Sequence, residues 1–212
     1  SGLIKAIKEM NYEEFTEIQE KCIPIILEGR DIFGQSKTGS GKTAAFGLPI
    51  LEKINPEKGI QALVLTPTRE LCVQVTEALN NFGKYMGIKA ISIYGGVSIV
   101  PQITGIKRAD IVVGTPGRIE DHLDRKTISF QKIKFLVLDE ADRMFDMGFV
   151  NSIERILTQT PKDKQTLLFS ATISKNVDHI FKKHLKSPII IKSPEHVDKT
   201  VLKQIYYNIK YY

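Results

Sequence analysis

Ser36-Lys37-Thr38-Gly39-Ser40-Gly41-Lys42-Thr43 stands between a short apolar run at Asp31 to Gln35 and a helical pattern from Ala44 onward. Gly39 and Gly41 allow a backbone to wrap closely around an anion, and the amides opening the next helix point at it. Such a loop suits a triphosphate: Lys42 reaches the terminal phosphates as a point charge, and Thr43 offers a hydroxyl to magnesium. The strict pattern G-x-x-x-x-G-K-[ST] has glycine where Ser36 stands, so the spacing alone also fits a polar turn between a strand and a helix. A second acidic group, Asp139-Glu140-Ala141-Asp142, leaves the apolar run Phe135-Leu136-Val137-Leu138. Acids in that position form the magnesium-holding partner of a phosphate loop, although acids near a helix N-terminus are also favourable without any ligand.

The elements that must position these groups follow from local pattern. Ala62-Leu63-Val64-Leu65 and Ile111-Val112-Val113 are continuous short apolar runs, the mark of strands buried on both faces of a parallel sheet. Strands are likewise predicted at Asp31 to Gln35, Ile91 to Tyr94, Phe135 to Leu138, Thr166 to Phe169 and Ile189 to Ile191, with helical patterns between several of them. The alternation specifies an α/β fold built of βαβ units around a parallel sheet flanked by helices. Polar clusters sit at the C-terminal ends of these strands, so residues from 36 to 172 should converge on one edge. Gly47 and Pro49 should break or kink the helix that follows the loop. The helix after Thr66-Pro67-Thr68-Arg69-Glu70-Leu71 should run to about Met86. Thr66-Pro67 and Thr115-Pro116 each place a potential N-cap before a proline suited to a first helical position.

Gln19 admits two readings. Thr16-x-x-Gln19 has capping-box spacing at the start of a helix with Cys22, Ile23, Ile26 and Leu27 on its apolar side. That helix also ends at Gly29-Arg30, just before the loop strand, which brings Gln19 near enough to meet a base.

With 212 residues one sizeable core is expected. No apolar run approaches a membrane span, and the start has no signal-peptide architecture, so a soluble cytoplasmic protein is expected. Cys22 and Cys72 lie in separate helical patterns, which supports neither a disulfide framework nor a zinc site and fits a reducing compartment. The net charge of +6 suits a polyanionic partner, as does any lysine-rich surface. His122, His179, His184 and His196 show no metal-ligand grouping, and Lys182, Lys183 and Lys186 read as a solvated helix face.

Taken together, the ordered motifs resemble the N-terminal RecA-like domain of the DEAD-box ATP-dependent RNA helicases over nearly the whole chain. They are Thr16-x-Ile18-Gln19, Ser36 to Thr43, Pro67-Thr68-Arg69-Glu70-Leu71, Gly95-Gly96, Thr115-Pro116-Gly117-Arg118, Asp139-Glu140-Ala141-Asp142 and Ser170-Ala171-Thr172. The resemblance implies a three-layer P-loop NTPase core at residues 1–200, with residues 201–212, including Tyr206, Tyr207, Tyr211 and Tyr212, beginning a linker to a second RecA-like domain. Nothing in residues 1–212 resembles that second domain, so the expectation is half of an enzyme. Ser36 takes the place usually held by Ala. Asn11-Tyr12 replace the usual Gly-Phe, and Phe15 replaces the usual Pro.

The same resemblance implies roles. Thr16, Gln19, Ser36, Lys37, Thr38, Gly39, Ser40, Gly41, Lys42 and Thr43 would bind ATP, with Gln19 on the adenine edge. Lys42, Asp139 and Glu140 would carry catalysis, Thr43 and Asp139 would hold Mg²⁺, and Glu140 would activate water. Pro67, Thr68, Arg69, Gly95, Gly96, Thr115, Pro116, Gly117 and Arg118 would contact the RNA backbone without reading its sequence. Asp142, Ser170 and Thr172 would couple nucleotide to movement between domains. The implied activity is RNA-stimulated ATP hydrolysis driving duplex unwinding or remodelling. One alternative is an ATP-dependent RNA clamp; a metabolic P-loop kinase is opposed by Gly95-Gly96 and Thr115 to Arg118. No membrane partner is expected, and the 212-residue chain should be monomeric and nearly inactive alone.

Overall fold

The computed structural model describes residues 2–36 and 39–192; Lys37, Thr38, His196 and the expected linker stretch 201–212 lie outside the described residues. Four-residue apolar segments make most of the sheet. The strands are β1 (Ile32–Gln35), β2 (Ala62–Leu65), β3 (Ala90–Ile93), β4 (Ile111–Gly114), β5 (Phe135–Leu138), β6 (Gln165–Ser170) and β7 (Ile189–Lys192). All pair in parallel, in the order β3-β4-β2-β5-β6-β1-β7.

Burial on both faces, with side chains alternating between them, explains why the central strands β2, β4 and β5 are apolar throughout. Ala62 and Val64 of β2, Phe135 and Val137 of β5, and Leu167 and Phe169 of β6 point into one core. Their neighbours Leu63, Leu65, Leu136, Leu138 and Leu168 point into the other. The first core is roofed by α1 (Gly2–Glu9), α2 (Glu17–Leu27), α3 (Lys42–Lys53) and α4 (Arg69–Phe82). Residues of α6 (Pro116–Asp124), α7 (Ala141–Asp146), α8 (Val150–Thr158) and α9 (Lys175–His184), with Ile106 of α5 (Val100–Ile106), cover the second. The result is the three-layer RecA-like arrangement.

Three local expectations are corrected. First, α3 is one helix from Lys42 to Lys53 through Gly47 and Pro49, so the break expected there does not occur. An interior proline costs about 3 kcal/mol. Phe46, Leu48, Ile50 and Leu51 are all buried, each contributing roughly 1.5–3 kcal/mol, so packing outweighs the missing hydrogen bond. Gly47 has its own reason, because a Cβ there would sit 2.8 Å from Leu79 Cδ2 of α4. Second, α4 stops at Phe82, and the chain turns through Gly83 and Gly87 (φ +70°) to enter β3. Third, the N-cap of α4 is Thr68, whose hydroxyl accepts from Leu71 N at 3.2 Å, not the buried Thr66. Thr66 still belongs to the sheet edge, its N–H donating to Gly114 O at 3.0 Å. Thr115 does occupy the N-cap position of α6, with Pro116 in its first turn.

Cys22 and Cys72 are buried free thiols, and burial raises both pKa values, Cys22 to about 12 and Cys72 to about 11. They are inert packing residues. No described helix is long and apolar enough to cross a membrane.

Candidate functional site

The loop after β1 is gripped from behind by α2. Thr16 Oγ1 donates to Ser40 O at 3.0 Å, and Gln19 Nε2 donates to Gly41 O at 3.1 Å. Gln19 Oε1 meanwhile accepts from Thr16 N at 3.0 Å, so its amide both ties the helix start and anchors the loop. Gln19 is 2% exposed. Gly41 has φ +88°, and a Cβ there would lie 2.5 Å from Gln19 Nε2 and 2.9 Å from Thr16 Oγ1. Only glycine satisfies both the left-handed backbone and that close approach.

Lys42 opens α3 and is buried against the acids leaving β5. Its Nζ lies 3.3 Å from Asp139 Oδ1 and 3.8 Å from Glu140 Oε1. The first contact is an ion pair without hydrogen-bond alignment, since Asp139 Oδ1 has no hydrogen-bond partner among the described residues. Burial raises the Asp139 pKa, with the Lys42 charge opposing the rise. Glu140 caps α7 in a left-handed conformation (φ 54°, ψ 52°), a strained geometry for a non-glycine residue that turns its carboxylate into the site. Arg143, one turn later, reaches back to Glu140 Oε2 at 3.4 Å. A cavity of about 230 Å³ opens here, lined among others by Ser36, Lys42, Glu140, Asp142 and Arg143.

These groups fit a polyphosphate; no group of three or more His, Cys, Asp or Glu among the described residues could hold a metal ion, so a divalent cation would depend on Asp139, whose Oδ1 is buried without a partner, and on the bound phosphate. Ser36 Oγ and Ser40 Oγ are buried without partners among the described residues, and such atoms ordinarily require one. Among the described residues, buried Lys42 pairs with Asp139 and Glu140, so an incoming phosphate would exchange one anionic partner for another. Thr43 follows in the first turn of α3 and is half-buried.

Asp142, Ser170 and Thr172 form one cluster across the ends of β5 and β6. Thr172 donates to Asp142 Oδ2 from both N and Oγ1 at 2.9 Å, and Asp142 N donates to Ser170 Oγ at 3.3 Å. Ser170 Oγ in turn donates to Thr172 O at 2.7 Å.

The remaining sequence-selected residues lie on the other half of the same edge. Arg69, exposed in the first turn of α4, stacks its guanidinium 4.9 Å from the Tyr94 ring centroid. Arg118 is only 13% exposed at its side chain; Nη2 donates to Val97 O at 3.0 Å and Nε lies 3.7 Å from Asp121. Its Nη1 has no partner among the described residues. Gly95, Gly96 and Gly117 are exposed, whereas Pro67 and Pro116 are buried beneath the helix starts.

Strand order therefore sorts the candidates. Ends of β5, β6 and β1 carry Lys42, Asp139, Glu140 and the Asp142 cluster, while ends of β3, β4 and β2 carry Arg69, Gly95, Gly96 and Arg118. The halves meet where β2 and β5 pair. Glu70 stands at that junction: hydrogen bonds from its own backbone and from Thr68 lower its carboxyl pKa, and the charges of Arg69 and Arg143 add to this. Arg143 and Gln102 went unremarked in the sequence, and Tyr94 and His122 were noted there only as a strand end and as a histidine without a metal-ligand grouping. The one available signal was Arg143, three residues after Glu140 and thus on the same helix face.

A family model described as DEAD/DEAH box helicase matches residues 16–180. Among curated proteins, the chain is 49% identical over 193 residues to the ATP-dependent RNA helicase CshA of Limosilactobacillus reuteri, covering 90% of this chain and 39% of that protein. It is 48% identical over 194 residues to the DEAD-box ATP-dependent RNA helicase CshA of Bacillus subtilis, with coverages of 91% and 39%. The chain thus spans about two fifths of these relatives' length. A solved DEAD box protein from the hyperthermophile Methanococcus jannaschii matches with TM-score 0.89 and 44% identity over 92% of this chain and 54% of that one. A hypothetical ATP-dependent RNA helicase from Sulfolobus tokodaii matches with TM-score 0.85 and 42% identity, over 91% and 56%.

Proposed function

The chain belongs to the DEAD/DEAH box helicase family, and from that premise we propose that it is the ATP- and RNA-binding half of a DEAD-box RNA helicase. With a second RecA-like domain it would couple ATP hydrolysis to local RNA unwinding or remodelling in the cytoplasm. The observation that carries this reading is the division of one sheet edge into two half-sites that adjoin at β2 and β5. One half-site concentrates a buried lysine and two acids around a cavity; the other presents arginine, glycine turns and helix N-termini. The first suits a nucleotide and the second a sugar–phosphate strand.

In this reading Lys42, the loop amides, Ser36 and Ser40 hold the phosphates, and the loop contribution includes Lys37 and Thr38. Thr43 and Asp139 would hold Mg²⁺, which supplies neutralisation of phosphate charge. Glu140, already turned inward by its backbone, orients a water and takes its proton. Arg143 keeps that carboxylate from swinging out. The Asp142–Ser170–Thr172 cluster, bonded across two strand ends, is suited to passing a shift between the halves. Pro67, Thr68, Thr115, Pro116 and Gly117 shape the helix starts that face the RNA strand.

Gln19 retains one amide hydrogen and acceptor capacity after its internal bonds, enough to meet an adenine edge. Gln19→Ala should narrow the preference for ATP over GTP and cost about 1 kcal/mol of stability from the lost cap. Competition titration reads the first effect and denaturant unfolding the second; loss of stability with unchanged selectivity confines Gln19 to its structural role.

The RNA half-site is tested through Arg69. Arg69→Ala should weaken single-stranded RNAs of different sequence by similar factors and lower the salt dependence by about one phosphate contact. A loss restricted to one sequence, or no loss, removes Arg69 from the backbone-binding role.

A further inference from the structure

We infer that a buried hydrogen-bond relay running from Thr127 through His122 and Gln102 to Tyr94 holds the Gly95–Ser98 turn in its RNA-binding shape, making His122 and Gln102 positioning residues. The inference rests on the RNA half-site proposed above.

His122 is fully buried on α6, one turn beyond Arg118. Its Nε2 lies 3.1 Å from Gln102 Oε1, and its Nδ1 lies 2.7 Å from Thr127 Oγ1. Gln102 Nε2 donates to Tyr94 O at 3.0 Å. That last bond assigns the protons. A flipped Gln102 amide would set its carbonyl against the Tyr94 carbonyl, so Oε1 must face His122 and His122 Nε2 must carry the hydrogen. Nδ1 is then the acceptor, so the single Thr127 hydroxyl hydrogen goes to it at 2.7 Å rather than to His122 O, which lies 3.1 Å from Oγ1 and keeps the Thr127 N–H. Desolvation, joined by the Arg118 charge, lowers the His122 pKa and agrees with a neutral ring.

What the relay grips is the end of an edge strand. Among the described residues β3 pairs only with β4, and Thr115 N donates to Ile93 O at 2.9 Å, so alternation turns the Tyr94 carbonyl to the open side. Gln102 occupies it. At the start of β3, Asn80 satisfies both the N–H and the C=O of Ala90, at 2.9 and 3.0 Å. Past Tyr94, the turn is held a second time where Arg118 meets Val97 O. Gly95 and Gly96 lie exposed between these two grips, and a Cβ added at either would meet nothing within 4 Å. Both grips depend on α6: Arg118 supplies one directly, and His122 fixes the Gln102 amide that supplies the other.

The bland alternative is that His122 only closes the end of α6, where Thr127 N donates to His122 O at 3.0 Å and Thr127 Oγ1 lies against its ring. Glutamine places an amide near the Nε2 position of histidine, whereas asparagine reproduces only the Nδ1 side. His122→Gln should therefore keep RNA affinity within about twofold, and His122→Asn should lose about tenfold, the weight of roughly one hydrogen bond. ATP affinity should stay unchanged in both. Amide hydrogen exchange at residues 95–98 should quicken in His122→Asn and not in His122→Gln. Gln102→Glu supplies a second route that leaves the α6 end intact: it keeps an acceptor for His122 but loses the donor to Tyr94, and should match His122→Asn.

Fluorescence anisotropy with a labelled single-stranded RNA at low salt reads the affinities, with Arg69→Ala in parallel. Loss in Arg69→Ala, His122→Asn and Gln102→Glu but not His122→Gln supports the relay. Loss in Arg69→Ala with wild-type binding in Gln102→Glu, or equal losses in both His122 variants, overturns it while leaving the half-site standing. Absence of RNA binding by the unaltered chain ends the half-site reading, and this inference with it.

Discussion

Lys42→Ala should abolish useful ATP binding, lowering affinity on the order of 10²- to 10³-fold, as expected for removal of one member of a desolvated charge pair. Among the described residues Lys42 is the buried cation at the loop, its Nζ 3.3 Å from Asp139 Oδ1 and 3.8 Å from Glu140 Oε1. The same burial means the substitution also touches stability. Without Lys42, Asp139 faces Glu140 in a water-poor site with its chief charge-stabilising partner gone. Asp139 already has a raised pKa from desolvation, and losing Lys42 raises it further. A carboxyl raised on folding favours the folded state most below its unfolded pKa and loses that contribution as pH climbs through the folded value. The stability deficit of Lys42→Ala should therefore be largest near neutral pH and shrink as pH falls toward the ordinary aspartate value of 3.8. Calorimetric ATP titration and denaturant unfolding across that range check both parts. A folded variant with unchanged ATP affinity removes the phosphate-loop assignment.

The 212-residue chain alone should bind ATP with magnesium yet hydrolyse it near background, and RNA should change little. Transfer of the γ-phosphoryl group to water needs positive charge opposite the acids as well as beside them, and an arginine in that role is worth about 10³ to 10⁵ in rate. Among the described residues, Lys42 and Arg143 are the cations lining the cavity, and both are turned onto its carboxylates. Neither is placed to serve the far side. The relatives extend well beyond the matched region, this chain covering 39% of each, which leaves room for a second domain to supply the missing charge. Phosphate release should be compared between this chain and a two-domain form at saturating ATP and RNA. RNA-stimulated turnover in the longer form that Glu140→Gln abolishes is the expected result. Robust RNA-stimulated hydrolysis by residues 1–212 alone would falsify the half-enzyme reading. In the longer form, slow product release on RNA separates a clamp from a multiple-turnover unwinding enzyme.

Local pattern in the amino-acid sequence determined more about this protein than is usual. Short apolar runs such as Ala62 to Leu65 and Phe135 to Leu138 are legible because burial on both faces leaves no polar position to interrupt them. Glycine at 41 is legible as a loop requirement, because a left-handed backbone is a single-residue property. Tertiary structure alone decided the rest. Pro49 is tolerated because α3 is buried in the first core between α2 and α4, an energy no local propensity contains. Gln19 combines a cap with a loop anchor because α2 packs behind residues more than twenty positions away. Arg118 is partly buried, and Tyr94, Gln102 and His122 form a relay across three elements, with no spacing in the chain to announce it. Above all, strand order is set by how crossovers pack their helices on the two faces, not by the strands' own residues. That order separates Arg69 and Arg118 from Lys42 and Asp139 while keeping them on one edge, which lets the proposed nucleotide site and the proposed strand-binding surface share a single sheet.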